Sequence, residues 1–234
     1  MVRKVQTVAL TGGGVVRGAI RLLPISVFVV PFGIAFGIAA TEGGLGPHQV
    51  TAMSVLVFSA MAQFAALEFL QEPVAFVSLG LVVLALSGRL VIMGASLSPW
   101  VNRLPIRKRF LTLVLLSDAN FADTQTLLQR GESDLGPLFG GGLVLWIFWI
   151  GSTAIGAYGG DMLGDTEALG FGVVMLCFFA ATATGMVRST PTFLTPVIVA
   201  IGVSVMTQPY LPVGWNILFA AMLGGLTAAI RHAE

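Results

Sequence analysis

Charge is scarce in this chain. Only 10% of its 234 residues are Asp, Glu, Lys or Arg, where an ordinary soluble domain carries about 25%. The hydrophobic share of 56% is more apolar surface than a soluble core of this length could hide, so the surrounding solvent is a bilayer. A net charge of +1 offers no broad basic surface for nucleic acid. Histidine is nearly missing: His48 and His232 are the two present, and cysteine is represented by Cys177 alone. That excludes a His- or Cys-rich metal centre and an intramolecular disulfide. Within VVMLCFFA, Cys177 reads as a small apolar packing residue.

Motifs of soluble enzymes are also lacking. The run Gly12-Gly13-Gly14 has no following Lys-Ser/Thr, so it is not a phosphate-cradling loop. There is no GxSxG elbow. The run DANFAD places Asp118 and Asp123 five apart, but the adjoining glycine and second acidic motif of a metal-dependent transferase are not there. No enzymatic activity, no cofactor and no consumption of ATP by this chain are expected.

What is there is a succession of apolar runs. At roughly 20 residues per spanning helix, the length allows one membrane domain. Membrane segments are expected at about 22–41, 51–70, 74–98, 110–128, 137–157, 170–187, 193–208 and 214–230. Good breakers separate them: Glu42-Gly43-Gly44, Gln71-Glu72-Pro73, Gly131 to Asp134, Asp161 to Glu167, Pro191, and Pro209 to Pro212. The fold class expected is all-α, a polytopic transmembrane helix bundle of about six to eight membrane segments, some of them broken or re-entrant. Residues 1–21, with Arg3, Lys4, Arg17 and Arg21 around a Gly12-Gly13-Gly14 break, read as a cytoplasmic interfacial lead, and residues 22–231 as a single transmembrane domain. The first apolar run, from Leu22 to about Ala40, exceeds the roughly 7–15 residues of a signal-peptide core and predicts the first membrane segment.

Basic residues mark the cytoplasmic side of a membrane protein. Here they precede Leu22, cluster at Arg103, Arg107, Lys108 and Arg109, and recur singly at Arg130, Arg188 and Arg231, while 42–50, 158–169 and 208–213 have none. Eight full crossings would put the 103–109 cluster outside. Either the rule fails once, or one segment on each side of the cluster does not fully cross. The run FLTLVLLS followed by Asp118, Asn120 and Asp123 cannot face lipid as a plain helix, and 51–98 could be broken near Glu72-Pro73 or Gly80. Irregular backbone at membrane depth requires burial in protein or a wet cavity.

Two polar side chains stand out in apolar surroundings, Gln63 and Arg89. An arginine at a helix centre costs at least about 2.5–3.5 kcal/mol on insertion scales, so it snorkels, faces water or has a partner. Its planar fork of donors suits a carboxylate, either that of Asp118 or that of an amino acid. Asp118, the acid in the most apolar context, motivates an expectation of proton coupling, with Asn120 beside it. Pro24, Pro31, Gly33 and Gly37 in the first segment mean either tight packing or a broken helix offering backbone groups to substrate. Serines 54, 59, 87, 96 and 98, and the group Thr182, Thr184 and Ser189, read mainly as helix packing.

The runs PFGIAFG at Pro31–Gly37, SVLVFSAMAQFAAL from Ser54 and GRLVIMGASLSPW from Gly88 resemble the AzlC family over nearly the whole chain. Those proteins are the large membrane subunits of bacterial branched-chain amino-acid exporters. The resemblance places Arg89 in an Asn-Leu-Arg-His-like motif, here Ser87-Gly88-Arg89-Leu90, and Asp118 in an Asp-Glu-like motif, here Asp118-Ala119. It implies export of branched-chain or similar apolar amino acids across the bacterial inner membrane, with a small hydrophobic AzlD-like partner subunit. The expected mechanism is alternating access. Arg89 and Gln63 would bind substrate with backbone groups near Pro31, Gly33 and Gly37, while Asp118 and Asn120 would couple. A passive channel and a purely structural membrane subunit are the alternatives.

Overall fold

The computed structural model describes residues 8–67, 69, 76–160, 194–211 and 215–232, with single positions 180, 184, 188 and 192 between them. Among these, nine α-helices are present and no named strand. They are α1 (Gly12–Glu42), α2 (Pro47–Leu56), α3 (Ala60–Leu67), α4 (Phe76–Val101), α5 (Ile106–Val114), α6 (Asp118–Gln129), α7 (Gly136–Gly159), α8 (Leu194–Thr207) and α9 (Trp215–His232). This is the all-α membrane architecture that the composition predicts. Three stretches, Gly12–Glu42, Leu79–Val101 and Gly136–Gly159, are long and apolar enough to cross a bilayer, and α8 and the Phe219–Ile230 part of α9 are shorter apolar helices. The expected breakers at Gln71-Glu72-Pro73, Asp161–Glu167 and Pro191, most of segment 170–187, and Cys177, Thr182 and Ser189 lie outside the described residues.

The chain divides into two compact units. The first comprises Met1–Ala60 and Ser87–Gly164, and the second Met61–Leu86 and Asp165–Glu234. The first is organised on α1 and α7, which pack along their length. Glycines make that approach possible. A Cβ on Gly140 would lie 1.9 Å from the Val15 carbonyl oxygen, one on Gly37 2.3 Å from that of Thr153, and one on Gly156 2.2 Å from that of Ile34. Phe36 and Trp149 stack in the same seam, with ring centroids 6.0 Å apart. Small residues let helix backbones meet where lipid gives no hydrophobic drive for association.

α1 begins ten residues before the expected segment at Leu22. The glycine run is not a break: Gly12–Gly14 form the first turn, capped by the Thr11 hydroxyl, which accepts from the Gly14 N–H at 2.9 Å. Arg17 and Arg21 are therefore helical, and they pair with Glu132 at 2.7 Å and with Asp123. The helix also runs unbroken through Pro24 and Pro31.

By contrast, two expected segments are interrupted. The first divides into α2 and α3 at residues 57–59, and the other into α5 and α6 at 115–117. Gly80 lies inside the continuous α4, so the first interruption falls at Val57, not there. At about 1.5 Å per residue, the 10, 8, 9 and 12 residues of these helices are each far short of the roughly 30 Å hydrocarbon core. In the second unit α8 and α9 pack together, Gly224 meeting Pro196 and Ala200.

Candidate functional site

Each interruption leaves a carbonyl without its helical donor, and in each case a side chain supplies one. In a continuous helix the Val55 carbonyl would accept from the Ser59 N–H. Val57 instead turns to an extended conformation (φ −114°, ψ 93°), and the Trp146 indole of α7 donates to the Val55 oxygen at 3.2 Å. At the second interruption the Asn120 amide donates to the carbonyls of Leu115 at 2.7 Å and Leu138 at 3.0 Å. Its oxygen accepts from the Ser117 N–H at 2.7 Å, closing a capping box at the start of α6. Gly142 admits this arrangement, since a Cβ there would sit 2.6 Å from the Asn120 amide nitrogen.

The two interruptions meet one cleft of about 500 Å³ in the first unit. Leu56, Val57, Phe58 and Ser59 wall it on one side, and Leu113, Val114 and Leu116 on another. Ser87, Leu90, Val91 and Gly94 of α4 complete it, spaced three and four apart as one helix face requires. The lining is aliphatic and aromatic with two hydroxyls. The last residues of α2 and α5 are among those lining it, and helix C-termini carry partial negative charge that favours a cation. Among the described residues, no group of three or more His, Cys, Asp or Glu could hold a metal ion.

Arg89 and Asp118 come together: the guanidinium Nη1 lies 2.9 Å from the Asp118 carboxylate. Both side chains are partly exposed, at 36% and 57%, yet the Arg89 Nε is buried and has no hydrogen-bond partner. The pair adjoins the cleft without lining it. Arg89 precedes the lining residue Leu90, and Asp118 follows Leu116 by two positions. Asn120, fully buried, is committed to the interruption. Gly33 packs on Ser152 and Gly37 on Thr153 and Ala157, in the α1–α7 seam, and Pro31 is exposed on α1. None of the three lines the cleft. Gln63 is fully buried on α3, in the second unit. Ser54 donates to the Thr153 hydroxyl at 3.2 Å and Thr184 to the Ala180 carbonyl at 2.8 Å.

At the loop before α7, Asp134 receives the Thr11 hydroxyl at 2.6 Å, the Thr11 N–H at 3.1 Å and the Gly136 N–H at 2.9 Å. Burial pushes its carboxyl up. The bonds from Thr11 and Gly136 and the charge of Arg17 outweigh that and hold it below the ordinary carboxylate value.

Comparison with known proteins agrees with this membrane architecture. The family model described as AzlC protein matches residues 24–163. The chain is also similar to "Inner membrane protein YgaZ" of Escherichia coli (strain K12), with 29% identity over 219 residues, covering 89% of this chain and 87% of that protein. No solved structure matches.

Proposed function

The chain belongs to the AzlC protein family, and from that premise we propose that it is the transport subunit of a bacterial inner-membrane exporter for branched-chain and similar apolar amino acids. The observation that carries the reading is the cleft at the two helix interruptions. Its volume of about 500 Å³ falls in the range of small-molecule sites. Discontinuous helices are the usual way a transporter presents backbone groups to substrate at membrane depth. The carbonyl ends of α2 and α5 suit the substrate ammonium, and Leu56, Val57, Leu90, Val91 and Val114 suit its aliphatic side chain. Apolar walls discriminate weakly, one methylene being worth about 1–3 kcal/mol, so several substrates such as Leu, Ile, Val and Met are expected.

Arg89 supplies the charge for the substrate carboxylate. In the state described here Asp118 occupies it. Protonation of Asp118 would free the guanidinium to swing past Leu90 and would loosen the 115–117 wall, because Asp118 is also the first residue of α6. Proton entry and carboxylate binding would thereby be linked, with alternating access around the interruptions. A small AzlD-like membrane subunit completes the exporter, and the N-terminus lies in the cytoplasm on the side of the 103–109 basic cluster.

The test is intracellular leucine and valine in cells fed the corresponding dipeptides. The compared strains carry no exporter, this chain with its partner, or the Arg89→Ala variant, at matched membrane levels. The intact pair lowers both amino acids and the variant does not. Internal levels that stay unchanged with the intact pair would contradict the substrate class.

A further inference from the structure

Resting on the reading of the cleft as the substrate site, we propose that Gly94 is the residue that sets the largest side chain the site accepts. Gly94 is one of the four α4 positions that line the cleft. With Ser87, Leu90 and Val91 it forms a single stripe on that helix, by the spacing of three and four. It differs from the glycines of the α1–α7 seam. There an added Cβ would collide with neighbouring atoms at 1.9–2.3 Å at Gly37, Gly140 and Gly156, so those glycines are required by backbone approach. Among the described residues, an added Cβ at Gly94 meets nothing within 4 Å. Packing among the described residues therefore does not account for a glycine there.

Glycine inside a helix is about 1 kcal/mol less favourable than alanine, so the helix itself does not favour it either. What glycine contributes is space: the missing side chain widens the cleft that it lines together with Leu56, Val57, Phe58, Ser59, Leu113, Val114 and Leu116. A side chain placed at 94 would grow into the volume where the substrate's aliphatic group sits. The cut-off would then fall with the size of that side chain.

Gly88 supplies an internal control. It lies on the same helix, its added Cβ also meets nothing within 4 Å among the described residues, and it does not line the cleft. The experiment compares wild type, Gly94→Ala, Gly94→Leu and Gly88→Leu in cells carrying the whole exporter, at equal membrane levels. It measures export of alanine, valine, leucine and phenylalanine from the matching dipeptides. The leucine-to-alanine export ratio falls by at least about tenfold in Gly94→Leu, in line with the discrimination a single methylene can give. It falls less in Gly94→Ala and stays unchanged in Gly88→Leu. Three outcomes overturn the assignment while leaving the proposed function standing. These are a wild type that exports with no change of ratio in the Gly94 variants, an equal loss of all four amino acids, and the same shift in Gly88→Leu. A wild type that exports none of the four overturns the proposed function, and this assignment with it.

Discussion

Asp118 accepts a 2.9 Å ion pair from Arg89 and is at the same time the first residue of α6. One carboxylate thus joins α4 to the segment just after the loop 115–117, whose Leu116 lines the cleft. Exposed ion pairs contribute only about 0–1 kcal/mol to stability, so losing this one leaves folding nearly intact. Arg89→Ala and Asp118→Asn are expected to reach the membrane at wild-type levels and to lose most export. The exchange Arg89→Asp with Asp118→Arg restores the pair but not the export. Recovery of full export in the exchanged protein would show that the pair serves helix register alone.

Asn120 is the side chain on which the second interruption depends. Asn120→Ala leaves the Leu115 and Leu138 carbonyls without its amide and removes the acceptor for the Ser117 N–H. An unsatisfied buried group costs about 1–3 kcal/mol. Thermal unfolding of the purified protein in detergent is expected several degrees lower, against little change for Asn102→Ala on the exposed turn after α4.

The α1–α7 seam makes a sharper prediction about size. Gly140→Val places atoms where the Val15 backbone already lies, 1.9 Å from the built Cβ, whereas a Cβ on Gly151 of the same helix meets nothing within 4 Å among the described residues. Gly140→Val is expected to abolish accumulation in the membrane, and Gly151→Val to be tolerated, as read by membrane blotting and detergent size-exclusion.

Asp134 predicts a pH dependence. Its carboxyl is held below the ordinary value, so the unfolded chain takes up a proton first as pH falls. The stabilisation is fully present above the unfolded value of about 3.9 and is lost as pH drops through the depressed folded value. The unfolding-temperature advantage of wild type over Asp134→Asn is therefore constant from pH 7 to 5 and shrinks below about pH 4. A gap that stays constant at pH 3 contradicts the assignment.

Much of this arrangement is legible in the residues before any coordinates. The second interruption is foreshadowed because Asp118, Asn120 and Asp123 cannot face lipid, and each finds its place: Asp118 on Arg89, Asp123 on Arg21, Asn120 on the freed Leu115 carbonyl. The first interruption is not foreshadowed, because Val57-Phe58-Ser59 contains neither proline nor glycine. The Trp146 indole that bonds the Val55 carbonyl there lies 91 residues away, a tertiary contact with no local signal. The prolines and glycines of α1 leave two readings open in sequence, tight packing or a broken helix, and the contacts with α7 fit the first. Pro24 and Pro31 leave the helix continuous, Gly12–Gly14 open it, and Gly33 and Gly37 serve contact with α7. The cleft residues escape notice for a related reason: an aliphatic stripe that lines a site looks in sequence like one that faces lipid.

The most direct test of export through this cleft is uptake of radiolabelled leucine into inverted membrane vesicles containing the chain and its partner subunit. Uptake that saturates with leucine, is inhibited by isoleucine and valine but not by glutamate, and falls when the proton gradient is collapsed is the predicted result. Flux that rises linearly with concentration and ignores both competitors and gradient would contradict the account and identify a passive pore.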